Sequence, residues 1–529
     1  MNPVRLVLRA GFNRLERAFD RIFGPAWNPL NQLGALGFFY YWIVAVSGIY
    51  LYIGFDTGVA KAYQSVEYLT HAQWYLGGVM RSFHRYASDA MVAMMAIHLL
   101  REFSLDRYRG IRWFSWFTGV PIMWLVYASG ITGYWLVWDK LAQYVAVATS
   151  EWLDALPIFA EPIVRNFLAP GSVDDRLFTL LVFLHIAVPL ILLFIMWVHL
   201  HRISRPKVNP PRGLAIGTMA MMLALSLAYP AASQGPADLS IVPAVVKLDW
   251  FYLAIYPLFD IWSYGAVWGL VGVATVILAA MPWLPPFRKP APAVVDLAMC
   301  NGCGRCAQDC PYGAVTMERR SDGLPFEHEA VVKAGLCVSC GICVGACPTS
   351  SAFRRTAGLA NAIDLPHPSL RALKEMTEAA AQHCTGDMRV LIFGCDHGVR
   401  VRGLEAAGVA AVSLPCVAML PPSFIDYVLS RDLADGVMLA GCRESACYNR
   451  FGIRWTEDRL ARRRDPRLRE RVARERIARA WCDEAGTREL VAELVRLRAR
   501  LAALGKMPRL VRIPALAPGH AVAAPEARR

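Results

Sequence analysis

The sequence predicts a multidomain chain: an all-α bundle of about six membrane-spanning helices, then a small α+β domain, then a small α/β domain. Three observations predict it. Long apolar runs dominate residues 1–290 and fade beyond them, although 19% of the 529 residues are charged. All fourteen cysteines lie from Cys300 onward, too clustered for a scattered disulfide framework and suited to metal ligation in a reducing compartment. Two cysteine runs of one spacing open the second half, and three apolar stretches that each end on a cysteine follow.

Six segments are long enough to cross a ~30 Å apolar core: 33–54, 77–101, 113–137, 177–201, 212–231 and 262–284. The first 27 residues form a basic amphipathic stretch, expected to be an interfacial helix and not a cleavable leader. Alternate loops are basic: Arg5 to Arg21, Arg101 to Arg112, Arg202 to Arg212, and Arg288 with Lys289. The loop 138–176 is rich in Asp and Glu. The positive-inside rule then puts both termini on the cytoplasmic side of the inner membrane.

Two of these segments carry histidine pairs with one spacing, His84 with His98 and His185 with His199. Fourteen residues span ~21 Å and return the side chain to nearly the same helix face. Histidine within a bilayer is costly without a partner. Two facing helices so equipped would clamp two haems, His84 and His185 holding one, His98 and His199 the other. Polar glue between helices is the alternative, and it leaves the shared spacing unexplained. Gly34 and Gly48, and Gly119 and Gly133, are again fourteen apart and would let helix backbones approach a bulky neighbour. Arg81 and Arg85 flank His84 and would pair with haem propionates or snorkel to the interface. His201, two residues past His199, is either an interfacial residue or a group that hydrogen-bonds a quinone and passes a proton.

The segments WNPLNQLGALGFFYYWIVAVSGIYLYI, RSFHRY, AIHLLR and GITGYWLVW, with the second histidine pair, resemble cytochrome b of the quinol-oxidising cytochrome bc complexes over about residues 25–285. The resemblance implies two b-type haems, a quinone as exchangeable substrate, and a homodimer. The stretch LDWFYLAIYPLF aligns with the family's Pro-Glu-Trp-Tyr quinol motif, which here reads Leu248-Asp249-Trp250-Phe251. Asp249 keeps the acidic function that would take a quinol proton; the Pro and Tyr are replaced. The family's last two helices have no counterpart in the matched segment.

After a Pro-rich linker (282–293) comes CNGCGRCAQDCP, and then CVSCGICVGACP, each C-x2-C-x2-C-x3-C-P. This is the bacterial ferredoxin run, whose fourth cysteine ligates the other cluster. Cys300, Cys303, Cys306 and Cys347 would hold one 4Fe-4S cluster, and Cys337, Cys340, Cys343 and Cys310 the second. Zinc also suits four thiolates but rarely uses eight cysteines in a doubled spacing. Further on, MRVLIFGC, AAVSLPC and DGVMLAGC read as strands ending on Cys395, Cys416 and Cys442, with Cys447 five residues later. Four thiols at the carboxyl ends of a parallel sheet would bind a 2Fe-2S cluster, a zinc ion, or nothing.

DGVMLAGCRESACYNRFG, with FGC and the central PC upstream, resembles the hydrogenase iron–sulphur (delta) subunit family that partners heterodisulfide reductase, over about 388–505. The resemblance implies a 2Fe-2S cluster on Cys395, Cys416, Cys442 and Cys447, and a flavin-containing heterodisulfide-reductase-like complex as soluble partner. The family often has a second cysteine where Gly398 stands. Cys384 and Cys482 are expected to be unligated. Ten arginines within 459–479 suggest a solvated helical face, or a face that docks on anionic lipid or an acidic protein; no motif for nucleic acid accompanies them.

The expected boundaries are therefore a membrane domain over 1–290, a two-cluster domain over 291–355, a linker over 356–387, an α/β domain over 388–505 and a disordered tail over 506–529. One-electron carriers in series, without a nucleotide or catalytic acid–base motif, read as a membrane electron-transfer protein joining a cytoplasmic redox complex to quinone. Quinone reduction is the favoured direction, because a potential positive outside assists outward electron movement by about 2.3 kcal/mol per charge per 100 mV. The alternative is a membrane anchor and docking scaffold that passes electrons between soluble partners and leaves quinone untouched.

Overall fold

A computed structural model describes residues 3–158, 173–201, 206–285, 290–349, 361–484 and 486–505, with positions 162, 163, 168 and 203. Arg202, Arg205, Arg288, Lys289 and the tail 506–529 lie outside the described residues. Two compact units divide the chain: Met1–Pro290 with Pro311–Ala314 and Lys333–Val338, and the remainder.

The first unit is helical: α1 (Pro3–Phe23), α2 (Leu33–Ile53), α3 (Ala62–Glu67), α4 (Val79–Ser104), α5 (Trp113–Val137), α6 (Lys140–Asp154), α7 (Asp175–His201), α8 (Arg212–Ala228) and α9 (Tyr264–Ala280). All six expected spans are helices. Four spans, Leu33–Ile53, Gly110–Val137, Asp175–His201 and Tyr264–Trp283, are long and apolar enough to cross a membrane. Helix α4 is long enough at 26 residues, about 39 Å at ~1.5 Å per residue, but carries Arg81, Arg85, Asp89, Arg101 and Glu102. Helix α8 is apolar but has only 17 residues. α2 packs along α4, and α5 along α7, giving the unit two dominant helix pairs. The acidic loop after α5 holds α6, started by Asp139, whose side chain accepts from Ala142 N at 2.8 Å.

Helix α1 turns its polar side inward. Asn13 and Glu16 are buried while Val4, Val7, Leu15 and Ile22 are exposed, as an interfacial helix requires. Arg101 of α4 donates through Nε to Glu16 at 2.7 Å, and both side chains are almost fully buried.

The second unit holds strands β1 (Val294–Val295), β2 (Val315–Arg319), β3 (His328–Val332) and β4 (Ile363–Asp364) around short helices α10 (Arg305–Asp309) and α11 (Ile342–Ala346). β2 and β3 form an antiparallel hairpin, and β4 returns to pair antiparallel with β1. The expected linker over 356–387 is therefore structured from residue 361: it contributes β4 and then α12 (Leu370–His383). Residues 350–360 lie outside the described set.

Beyond it stand β5 (Val390–Cys395), β6 (Val409–Leu414), β7 (Gly436–Gly441) and β8 (Ile477–Trp481), with α13 (Pro422–Ser430), α14 (Gly452–Leu460) and α15 (Thr487–Leu504). The sheet is parallel throughout in the order β6-β5-β7-β8. β5 and β7 are buried along their whole length, as strands covered on both faces must be. The arginine-rich stretch is not a continuous helical face. Between α14 and β8 it is largely irregular chain tied to acids: Arg469 and Arg471 pair with Asp426 and Arg463 with Asp458 of the same domain, and Arg464 with Asp309 of α10.

Removing one partner of a buried ion pair strands the other charge, typically at about 3–5 kcal/mol. Glu16→Ala should therefore loosen α1 from α4 and lower the thermal midpoint of the detergent-solubilised protein, and Glu16→Gln should do so less. An unchanged midpoint in Glu16→Ala would mean that α1 does not depend on this pair.

Candidate electron-carrier sites

The four membrane histidines meet as the spacing requires. His84 on α4 and His185 on α7 face each other with ring centroids 6.1 Å apart. Two metal–nitrogen bonds of about 2 Å plus the half-widths of two imidazoles give roughly 6 Å, so the separation suits one metal between them. His98 and His199 form the second pair, within electrostatic reach of one another.

Three of the rings are held through Nδ1. His84 Nδ1 lies 3.0 Å from Val44 O and 3.3 Å from Ser47 Oγ. His185 Nδ1 lies 3.0 Å from Ser129 O and 3.3 Å from Thr132 Oγ1. His199 Nδ1 lies 2.9 Å from Thr118 Oγ1. A carbonyl can only accept, so Nδ1 carries the proton in His84 and His185, and Nε2 is left bare for a metal.

The four glycines sit beside these rings. A methyl group at Gly48 would come 2.9 Å from His84 Cε1, and one at Gly133 2.8 Å from His185 Cε1. At Gly34 and Gly119 the corresponding distances to His98 and His199 are 3.8 and 3.7 Å. What the glycines admit is thus the ligand imidazole itself. Gly48 and Gly133 each stand four residues after the accepting carbonyl, on the helix surface the ring must cross to reach it. The hydroxyls were not anticipated from sequence. Their signal is the recurrence of Ser47-Gly48, Thr118-Gly119 and Thr132-Gly133, a hydroxyl before three of the four glycines.

Next to the His84–His185 pair lies a polar network. Asp249 is buried, and its Oδ2 accepts from Arg85 at 2.9 Å and from the hydroxyl of Tyr134. Arg85 also donates to Asp89 at 3.0 Å. Tyr252, seated where Gly130 has no side chain, shares a 2.6 Å hydrogen bond with Ser88. Arg81 pairs instead with Glu67, Thr70 and Ser233. His201 is exposed and rests on Trp197, with ring centroids 5.3 Å apart.

In the second unit, Cys306 has Cys347, Cys303 and Cys300 as its charged neighbours, so the fourth cysteine of the second run joins the first three of the first. Burial, and then these thiols, push Cys306 up to about 12. Such a set gives up its protons only to a strongly positive centre, which a metal cluster supplies. Cys395, Cys416 and Cys442 stand at or just past the carboxyl ends of β5, β6 and β7. Cys395 Sγ lies 3.8 Å from Cys442 Sγ. Cys395 also meets Cys416, and Cys442 meets Cys447, so four buried thiols form one pocket. Contact with Cys395 is the first cause that pushes Cys442 up to about 12. A side chain at Gly452 would strike Cys416 Sγ at 2.6 Å, so this glycine keeps the pocket open.

At Gly398 a Cβ would lie 2.8 Å from the Gly441 carbonyl carbon and 2.9 Å from Cys442 N, leaving no room for the extra cysteine. Cys384 and Cys482 are buried apart from the pocket, each thiol directed at a backbone carbonyl.

The crowding at two glycines and the slack at the other two make an asymmetric expectation. Gly48→Ala and Gly133→Ala should displace His84 or His185 and weaken the haem signal in reduced-minus-oxidised spectra. Gly34→Ala and Gly119→Ala should leave it unchanged. Equal effects at all four positions would contradict this geometry.

Comparison with known proteins divides the chain in the same way. The family model for cytochrome b/b6/petB matches residues 20–206, that for the 4Fe-4S dicluster domain 299–351, and that for the methyl-viologen-reducing hydrogenase delta subunit 389–505. Cytochrome b6 of Porphyra purpurea is 30% identical over 188 residues, which are 35% of this chain and 87% of that protein. A hyperthermophilic respiratory Complex III structure covers 47% of this chain and 74% of its own at 21% identity and a TM-score of 0.41. The chain belongs to the cytochrome b/b6 family, and a 4Fe-4S dicluster domain and a hydrogenase delta-subunit domain follow in the same polypeptide.

Proposed function

We propose that this membrane electron-transfer protein links a soluble, flavin-containing heterodisulfide-reductase-like complex to the quinone pool and reduces quinone. The observation that carries the reading is the pairing of His84 with His185, each bonded through Nδ1 to a carbonyl, beside buried Asp249 and its partners Arg85 and Tyr134. Two b haems, two 4Fe-4S clusters and one 2Fe-2S cluster would supply the one-electron carriers. His84 with His185, and His98 with His199, hold the haems. Cys300, Cys303, Cys306 and Cys347 hold one 4Fe-4S cluster, and Cys310, Cys337, Cys340 and Cys343 the other. The pocket of Cys395, Cys416, Cys442 and Cys447 holds the 2Fe-2S cluster. Arg81 and Arg85, which flank His84 in sequence, are the cations proposed for the haem propionates.

Quinone reduction takes two electrons and two protons. Asp249 is the group that handles a proton at one site. Its Oδ2 is held by Arg85 and Tyr134, so the carboxyl is fixed in place. His201, exposed at the end of α7, can serve the opposite membrane face. With the termini in the cytoplasm, the His98–His199 pair is the inner one and receives electrons first. A homodimer is the expected assembly.

The test is a redox titration of the solubilised protein with optical and electron-spin detection, in the presence of ubiquinone and menaquinone analogues. Pre-reduced haems should be reoxidised by at least one of them. Asp249→Asn should slow that reoxidation by ~10²-fold with unchanged haem spectra, the size expected for loss of a proton-transfer group. Haems that stay reduced with every quinone would leave the chain as an anchor for soluble electron carriers.

A further inference from the structure

The second cysteine run and the four-thiol pocket share one buried seam. Ile342, Cys416, Ala418 and Trp455 form a single apolar cluster, with Cys340 and Phe451 packed against it. Two glycines of the second run make the approach possible. A side chain at Gly341, where φ is +76°, would strike Met419 Cγ at 2.6 Å. One at Gly345 would run into the carbonyl oxygen of Ala418 and lie 2.9 Å from Arg459 Nη1. The first run has Gln308 at the position equivalent to Gly345, and its Gly304 has only Met317 Cγ nearby, at 3.8 Å. The two runs share a spacing, but only the second is cut to fit this neighbour.

Charge locks the seam. Arg459 is fully buried; it donates through Nη1 to Ala418 O at 3.0 Å and through Nη2 to Asp309, the residue before Cys310. Arg464 donates through Nε to the other oxygen of Asp309 at 2.8 Å and lies 3.7 Å over the Trp455 ring. Trp455 Nε1 donates to Asp309 O at 3.3 Å. One aspartate thus gathers two guanidinium groups on its carboxylate and an indole on its carbonyl, at the point where the two domains of this unit touch. By contrast, Cys303 of the first run is exposed.

We propose that Arg459 and Asp309 are positioning residues that clamp the Cys416–Met419 loop onto the second cysteine run. The clamp makes the Cys340–Cys343 end of the dicluster domain, and not the Cys303 end, the electron port to the four-thiol pocket. This rests on reading both as iron–sulphur sites. One electron leaves the pocket's cluster and one arrives at its neighbour; no bond breaks and no proton moves.

The test uses the full-length holoprotein without quinone, reduced stepwise and followed by electron-spin resonance. When both neighbours are paramagnetic, the pocket's signal should be split by spin coupling. The splitting should vanish in Cys340→Ser and persist in Cys303→Ser. Asp309→Asn leaves buried Arg459 and half-buried Arg464 short of their carboxylate, so the second-run cluster's reduction potential should rise. Arg459→Met removes a cation, so the potential should fall. A purely structural clamp would not move the two in opposite directions. Splitting that follows Cys303→Ser, or shifts of one sign or none in both charge variants, overturns the proposal. A wild-type protein that shows dicluster signals but none from the pocket overturns the iron–sulphur reading of the pocket, and the port with it.

Discussion

An imidazole ring that must face a metal through Nε2 inside a membrane has its other nitrogen to satisfy, and water is not available to do it. His84 and His185 meet that demand on a neighbouring helix, at carbonyls of residues 44 and 129. Those carbonyls already serve the helix ladder, so the ring must approach close to the backbone. A side chain four residues on would stand in the way, which is why Gly48 and Gly133 occupy those positions. The requirement then propagates. α2 has to lie along α4, and α5 along α7, closely enough for a side chain on one to reach the main chain of the other. Fourteen residues along, Gly34 and Gly119 again lie beside a histidine ring, with more room. The close approach within the bundle's two helix pairs thus follows from how His84 and His185 are held.

Most of this was legible in the sequence because it is periodic. Histidines and glycines at a common interval survive any uncertainty about helix ends, and the six spans were placed within a few residues of α2, α4, α5, α7, α8 and α9. The crossing of cysteine runs at Cys347 was legible for the same reason, since the doubled spacing has few other uses. What escaped notice lacks a period. Helix α6 lies in a loop judged only by its acidity, though Asp139 before it is an N-cap residue. Strand β4 is two residues long and exists because β1 needs a partner. The arginines of 459–479 suggested a helix face by density alone, but their partners, Asp309 and Asp426, are distant in sequence and recognisable only once the chain is folded.

The second unit solves a related packing problem with glycine again, in a different way. A parallel sheet brings the ends of β5, β6 and β7 to one edge, so cysteines placed there converge without further instruction. The space they enclose has to be kept open. Gly452 does so beside Cys416, and Gly398 lets the Cys395 loop settle directly on the Gly441–Cys442 backbone. That second contact has a chemical consequence. The pocket is limited to four thiols, because the position that carries an extra cysteine in the resembled family is filled here by main chain.

Charge is distributed in the membrane unit so that the groups suited to electron transfer and those suited to proton transfer stay separate. The hydrogen-bond partners of the Nδ1 atoms of His84, His185 and His199 are carbonyls and hydroxyls, all neutral. A carboxylate partner would make the imidazole a stronger donor and favour the oxidised metal, and it would place another charge in the apolar layer. The buried acids stand one step away. Asp249 and Asp89 are both held by Arg85, the residue next to His84, so one cation is shared between two carboxyl groups. A positively charged side chain adjacent to a ligand, with two carboxylates beyond it, lets the local charge change by one proton without disturbing the ligand's own hydrogen bond. That arrangement suits a site where electrons arrive singly at the metal and protons are exchanged at a carboxyl beside it, each by groups the other does not use.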